Sequence, residues 1–287
     1  MEEIALKQRS VARISGAQRT LEGEGVPIGR AFPNRSLEDL DPFLLLDHMG
    51  PAELAPGEAK GFPNHPHRGF ETVTYLLSGD MEHRDSYGNH GRLGPGDVQW
   101  MTAGSGLIHS EMPGPEIVRN GGRLEGFQLW VNLPKRDKMM PPRYQELKAE
   151  SIPVAQAGGI TVRVIAGEAL GRKGLIQTHL PITYLHIKLQ AGAEFAQSVA
   201  AQQNAFAYVI RGEAEFGSRA AAEGSVVVFA NDGDEIRVKA LKDSEALLIA
   251  GQPIGEPVAR YGPFVMNTRQ EIVQAFDDFQ QGRMGRL

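Results

Sequence analysis

The sequence predicts an all-β fold, built as two similar halves and finished by one helix, and three observations carry that expectation. Segments rich in β-branched and aromatic residues recur along the chain, among them 71–77, 127–131, 161–165 and 225–229, and such segments suit the pleated, half-buried surface of a sheet. Glycine, proline, aspartate and asparagine punctuate them, with 34 Gly and 18 Pro in 287 residues, as in sandwiches and barrels of short strands. Tyr75-Leu76-Leu77-Ser78-Gly79 is answered in the second half by Tyr208-Val209-Ile210-Arg211-Gly212, each a strand running into a glycine turn.

Between the halves, the run from Pro134 to Pro142 is polar and proline-containing. Residues before proline avoid helix, and proline cannot donate to a sheet ladder, so this run reads as a linker. The expected division is a domain of residues 1–138 and a second of 139–287. Only the end of the chain reads as helix. Thr268 is placed to cap it, Glu271 follows three residues later as in a capping box, and Gly282 marks the stop. Ile272, Ala275, Phe276 and Phe279 then form one apolar stripe, read as packing on the β core.

The chemistry resides in two doublets, His65-Pro66-His67 and His109-Ser110-Glu111. In a strand, side chains at i and i+2 share a face, so each doublet can present two donors to one point. A single His-x-His pair is more often a surface or hydrogen-bonded pair than a metal site. A second doublet on a second strand argues for a metal site of three imidazoles and a carboxylate. That donor set suits a divalent Fe, Mn, Cu, Ni or Zn ion, and four protein ligands leave room for substrate on a five- or six-coordinate metal. Carrying the repeat across places Ser198 at the position of His65, Ala200 at that of His67 and Asn204 at that of Glu71. Aligning Trp100 with Phe229 places Val238 against His109 and Ala240 against Glu111. The second half therefore has no ligand set and reads as a metal-free, supporting domain.

Composition narrows the function. Cysteine is absent, which excludes disulfides, thiolate ligands and a cysteine nucleophile. A formal net charge of −5 and no clustered basic face argue against direct nucleic-acid binding. No run approaches the ~18 apolar residues of a membrane span, and the acidic start is unlike a signal peptide, so a cytoplasmic protein is expected.

Three stretches together carry a family resemblance: His65-Pro66-His67-Arg68-Gly69-Phe70-Glu71-Thr72-Val73, the run from Gln99 to Pro113, and Gln128-Leu129-Trp130-Val131-Asn132-Leu133-Pro134. They closely resemble the pirin family of the cupin superfamily. Leu40-Asp41-Pro42-Phe43-Leu44-Leu45-Leu46-Asp47 and Gly262-Pro263-Phe264-Val265-Met266-Asn267-Thr268 extend the likeness over nearly the whole chain. The resemblance implies two stacked cupin jelly-roll β-barrels with a C-terminal α-helix. It also implies a mononuclear metal, taken as iron(II), in the N-terminal barrel, held by His65, His67, His109 and Glu111.

Glu71 is the ambiguous acid. Cupins in general take a ligand a few residues after His-x-His, and Glu71 shares the parity of His65 and His67, so an unbroken strand would turn it inward. With Glu111 on the metal, Glu71 could instead fix an imidazole tautomer or pair with Arg68. By resemblance, the activity is that of a quercetin 2,3-dioxygenase acting on flavonol-like aromatics with O2. The metal there binds the hydroxyl and keto oxygens while a carboxylate, Glu111 or Glu71, or solvent takes the hydroxyl proton. The alternative, also drawn from the family, is an iron-dependent redox-sensing regulator acting through protein partners.

The remaining candidates are weaker. His48, His83 and His90 fall in polar or turn-rich sequence and read as solvated or capping imidazoles. Gly104-Ser105-Gly106 reads as the turn delivering His109. The Gly23-x-Gly25 pair lacks the third glycine and following helix of a dinucleotide site. Met101, Phe127 and Trp130 flank the ligand strands as pocket lining or core.

Overall fold

The computed structural model describes residues 6–38 and 40–287; the acidic start read against a signal peptide lies partly outside them, at residues 1–5. The chain packs as two compact units, one of residues 19–32, 43–149 and 254–287, the other of residues up to 18, 33–42 and 150–253. Each is a seven-stranded sheet and a four-stranded sheet with the same order of strands, the jelly-roll pattern of a cupin barrel.

In the unit that holds the two doublets, the larger sheet runs Arg143–Leu147, Val98–Thr102, Phe70–Ser78, Gly122–Asn132, Phe43–Leu54, Val26–Phe32 and Gln18–Glu22. The smaller runs Phe62–His67, Leu107–Pro113, Met81–Asp85 and His90–Leu93. All four predicted β segments are strands, and the repeated glycines Gly79 and Gly212 both turn the chain with positive φ, at 90° and 79°.

The second unit repeats the plan around a continuous apolar interior that includes Phe195, Val199, Phe216, Val238 and Ala240. Its pairing corrects the register expected from the repeat. Val238 lies opposite Phe195 and Ile236 opposite Gln197, just as His109 lies opposite His65 and Leu107 opposite His67. Phe195 and Gln197, rather than Ser198 and Ala200, therefore stand where the histidines do. The connection that follows is longer, since the next strand starts at Asn204, and a fixed sequence offset cannot absorb it. The interior at these positions still carries no metal-binding donor set.

A single cut after residue 138 does not divide the packing. The proline run closes as a turn, with Asp137 N donating to Pro134 O and Met140 N to Asp137 O. Arg143–Leu147 then pairs with Val98–Thr102, so the first unit continues to residue 149. Residues 254–287 also belong to it, tied in where Val265 N donates to Arg68 O at 3.0 Å. The edge of the other seven-stranded sheet is supplied from near the start of the chain, Val11–Gly16 pairing with Ser225–Phe229. Each seven-stranded sheet thus takes an outermost strand from chain distant in sequence.

The C-terminal helix spans Arg269–Gln280, with Thr268 and Glu271 forming the capping box. Its stripe packs against Phe264, Met266, Met284 and Ile108, on the barrel as expected. A short helix that the sequence pattern did not reveal, Pro115–Asn120, begins at Gly114, where Asp80 Oδ1 accepts from Ile117 N at 2.8 Å. Among the described residues, no helix is long and apolar enough to cross a membrane.

Candidate metal centre

Two antiparallel strands of the smaller sheet bring the doublets together. His109 lies directly across from His65 and Leu107 across from His67. Side-chain alternation then puts three imidazoles on one face, and their donor nitrogens all lie within 4.8 Å of one another. The ring centroids of His65 and His109 are 4.3 Å apart, and those of His67 and His109 5.0 Å.

His67 and His109 are almost fully buried, at 3% and 1% exposed. Burial, and then the charge of the neighbouring His65, hold both well below the usual imidazole pKa, so they are neutral and able to coordinate. His65 Nδ1 meets Pro63 O at 2.7 Å, and His67 Nδ1 meets Pro263 O at 3.4 Å. A carbonyl at Nδ1 fixes the proton there and leaves Nε2 as the free donor. Both ring nitrogens of His109 are buried without a hydrogen-bond partner. A buried, unpartnered nitrogen is costly, and a metal shared with its two neighbours would give one of these two nitrogens its partner. The three imidazoles therefore fit a divalent transition ion.

Glu111 follows His109 on the same strand, past an irregularity in the pairing with Phe62–His67. Its carboxylate is outside the group of clustered donors and is held from the facing sheet. Thr74 Oγ1 donates to Oε1 at 2.9 Å, and Gln128 Nε2 reaches both oxygens at 3.1 and 3.0 Å. Trp130 Nε1 donates to Gln128 Oε1 at 3.2 Å and so sets the amide's orientation.

Glu71 does not join the histidines. One strand ends at His67 and the next starts at Phe70; between them Gly69 has φ of +87°, and a Cβ there would lie 2.0 Å from Val265 O. This break resets the parity. Phe70, not Glu71, lies against His67, with ring centroids 5.0 Å apart, and Thr74 of the same parity reaches Glu111. Glu71 takes the opposite face, where it accepts from Thr102 Oγ1 at 2.6 Å and where burial raises its pKa to about 7. Its expected pairing with Arg68 is also replaced, since Arg68 binds Asp278 and Ser105 O, each at 2.7 Å.

The other histidines divide. His90 is exposed, as expected. His48 and His83 are buried rather than solvated. His48 Nε2 meets Glu125 Oε1 at 3.1 Å and its ring stacks on Phe127, which places Phe127 in the packing and not in the cleft. His83 lies directly across from Glu111, with Nε2 2.7 Å from Glu146 Oε1. Met101 is buried in a cluster with Ala103 and Leu107. Gly104-Ser105-Gly106 forms the expected turn ahead of the His109 strand.

His65 and His67 open onto a cleft of about 530 Å³ that Trp130, Leu45, Ile28, Met49 and Phe62 line with apolar surface. Its polar lining includes Gln128, Asp47, Arg30 and Arg260; Gln128 and Asp47 stand in the family stretches, but the motifs single out none of the four as a site residue. Arg260 lies over the Trp130 ring, 4.8 Å from the centroid, with Nη1 donating to Leu44 O at 3.1 Å. The alternation around Trp130 in Gln128-Leu129-Trp130 carried a signal, because Gln128 must share the face of Trp130.

Two jelly-roll barrels, one with an apolar interior and one bearing a three-histidine cluster beneath an aromatic cleft, define the class as a two-domain cupin. The pirin domain matches residues 25–131, and the pirin C-terminal cupin domain matches residues 184–285. The chain is 46% identical over 278 residues to a pirin-like protein of Caulobacter vibrioides, covering 96% of this chain and 99% of that one. It is 45% identical over 270 residues to pirin of Homo sapiens, covering 92% and 90%. Among solved structures, a quercetin 2,3-dioxygenase from Acinetobacter baumannii superposes with a TM-score of 0.92 at 38% identity, covering 97% of this chain and 99% of that one. The chain belongs to the pirin family.

Proposed function

We propose that this protein is a mononuclear metal-dependent dioxygenase of the quercetin 2,3-dioxygenase type, acting with O2 on flavonol-like aromatics. The observation that carries the reading is the cluster of three imidazoles, two of which, His65 and His67, open onto a cleft walled by Trp130 and aliphatic side chains. The likeness to a protein named quercetin 2,3-dioxygenase supports it.

His65, His67 and His109 would hold the metal, iron(II) by the family resemblance, with Glu111 as fourth ligand. When bound, the metal supplies Lewis acidity and a redox centre with open positions for substrate and O2. The protein's residues do the rest. Trp130 and Leu45 offer a flat apolar wall for a planar ring system and exclude water from it. In this reading Glu111 is the carboxylate that takes the hydroxyl proton from substrate. Thr74 and Gln128 hold its oxygens and so set where that proton goes.

Oxygen uptake with quercetin tests this, using protein reconstituted anaerobically with Fe(II) beside a His65→Ala, His109→Ala variant whose metal content is measured. Uptake that disappears with the metal is expected. Iron bound in full without uptake overturns the catalytic reading and leaves the redox-sensing, partner-binding one.

A further inference from the structure

Cross-strand register lines up a row of four polar side chains, three of which, Arg30, Asp47 and Gln128, line the cleft. Arg30 is paired with Asp47, Asp47 with Gln128, and Gln128 with Thr74. Residues directly opposite in an antiparallel sheet share a face, so these four form one stripe across four strands. At the metal end, Thr74 and Gln128 hold Glu111. At the far end stands a fork-to-fork ion pair, with Arg30 Nε donating to Asp47 Oδ1 at 2.9 Å and Arg30 Nη2 to Oδ2 at 2.8 Å. Neighbouring strands are about 4.8 Å apart, so Arg30 is roughly 10 Å across the sheet from Gln128. Apolar pairs lie beside the stripe, Leu45 opposite Trp130 on one side and Met49 opposite Ile28 on the other.

We propose that Asp47, oriented by Arg30, is the specificity-determining acceptor for a phenolic hydroxyl on the part of the substrate remote from the metal. This inference rests on the flavonol reading of the site and deepens it: the preferred substrates are planar polyphenols, and bare flavonols lacking remote hydroxyls are poor ligands. The chemistry follows from the pair. Each Asp47 oxygen takes one hydrogen bond from Arg30, and a carboxylate oxygen has a second lone pair to offer. Arg30 Nη2 is bracketed on its other side by Glu22 Oε1 at 2.9 Å, so the guanidinium cannot swing away with the ligand. An ion pair in the lining between apolar walls discriminates by polarity: a hydroxyl satisfies it, whereas a bare ring desolvates it without return.

The test is ligand binding to zinc-loaded protein, by calorimetry, with quercetin and with 3-hydroxyflavone. Both carry the metal-chelating hydroxyl and keto oxygens, and only quercetin has hydroxyls on its outer rings. A hydrogen bond to a charged acceptor predicts that quercetin binds about tenfold tighter or better. Asp47→Asn should lower quercetin affinity towards that of 3-hydroxyflavone without weakening 3-hydroxyflavone, whose bare rings no longer desolvate a carboxylate. The double variant Arg30→Met, Asp47→Leu removes both charges together and so leaves neither unpaired; it should abolish the preference in a protein that still melts cooperatively. Equal weakening of both ligands, or an intact preference, overturns the proposal. If wild-type protein binds neither flavonol, the flavonol reading falls and this inference with it. Selective binding without oxygen uptake by the iron form sinks only the catalytic reading.

Discussion

The side-chain amide of Gln128 lies within 3.1 Å of both oxygens of Glu111, reaching across from the larger sheet to the strand that carries His109. The carboxylate proposed to complete the metal shell is thus held by a partner on the facing sheet. Gln128→Leu leaves Glu111 with Thr74 as its remaining donor from that sheet. Loss of such a supporting hydrogen bond typically lowers metal affinity by about 10–100-fold. Chelator competition on the Gln128→Leu protein should show a loss in that range, with the three imidazoles still binding.

His109 is the most deeply buried of the three imidazoles, and neither of its nitrogens has a protein partner. Metal added at a hundred times its dissociation constant should stabilise the wild-type fold by about 2.7 kcal/mol. Thermal melts with and without zinc should therefore separate for the wild type and coincide for His109→Ala. A melting temperature that rises equally in both would place the metal elsewhere.

Glu71 gives a pH signature separate from the metal. Burial lifts its pKa to about 7 in the fold, against 4.5 as the ordinary value. The folded state holds the proton more tightly, so the stability it contributes is complete below pH 4.5 and is lost as pH rises through 7. The shift corresponds to roughly 3 kcal/mol across that window. Glu71→Gln, which mimics the protonated acid, should match wild-type stability near pH 4.5 and exceed it at pH 8. Urea unfolding at the two pH values reads this directly, and metal content should stay unchanged because Glu71 faces away from the site.

Arg68 joins the turn after His67 to the C-terminal helix through Asp278 at 2.7 Å. Burial alone would raise the Asp278 pKa, but hydrogen bonds from Gln274, Arg68 and Arg283 outweigh it and hold the carboxyl at about 2. Arg68→Met should cost about 1.5–3 kcal/mol, the range for a hydrogen bond to a charged group. The remaining Gln274 and Arg283 contacts keep Asp278 from being stranded. Chemical unfolding should show the loss, and hydrogen exchange should rise first in residues 269–280.

Local rules made much of this protein legible. Strand alternation is a property of the backbone, so His65 with His67, and His109 with Glu111, had to present paired donors wherever their strands ran unbroken. The Thr268 and Glu271 box likewise depends on four consecutive residues, and the helix starts where they say. Family resemblance supplied the barrel pattern. Tertiary structure decided the rest, because alternation carries no memory across a break. Gly69 interrupts the strand to let Val265 approach from nearly two hundred residues away in sequence, and this turned Glu71 out and Phe70 in. Strand pairing likewise assigned residues 143–149 and 254–287 to the barrel of the histidines, and placed Phe195 and Gln197 where a constant offset had put Ser198 and Ala200. The row from Arg30 through Asp47 and Gln128 to Thr74 exists only in the sheet. Each member belongs to a different strand, and hydrogen-bonded register alone brings them side by side.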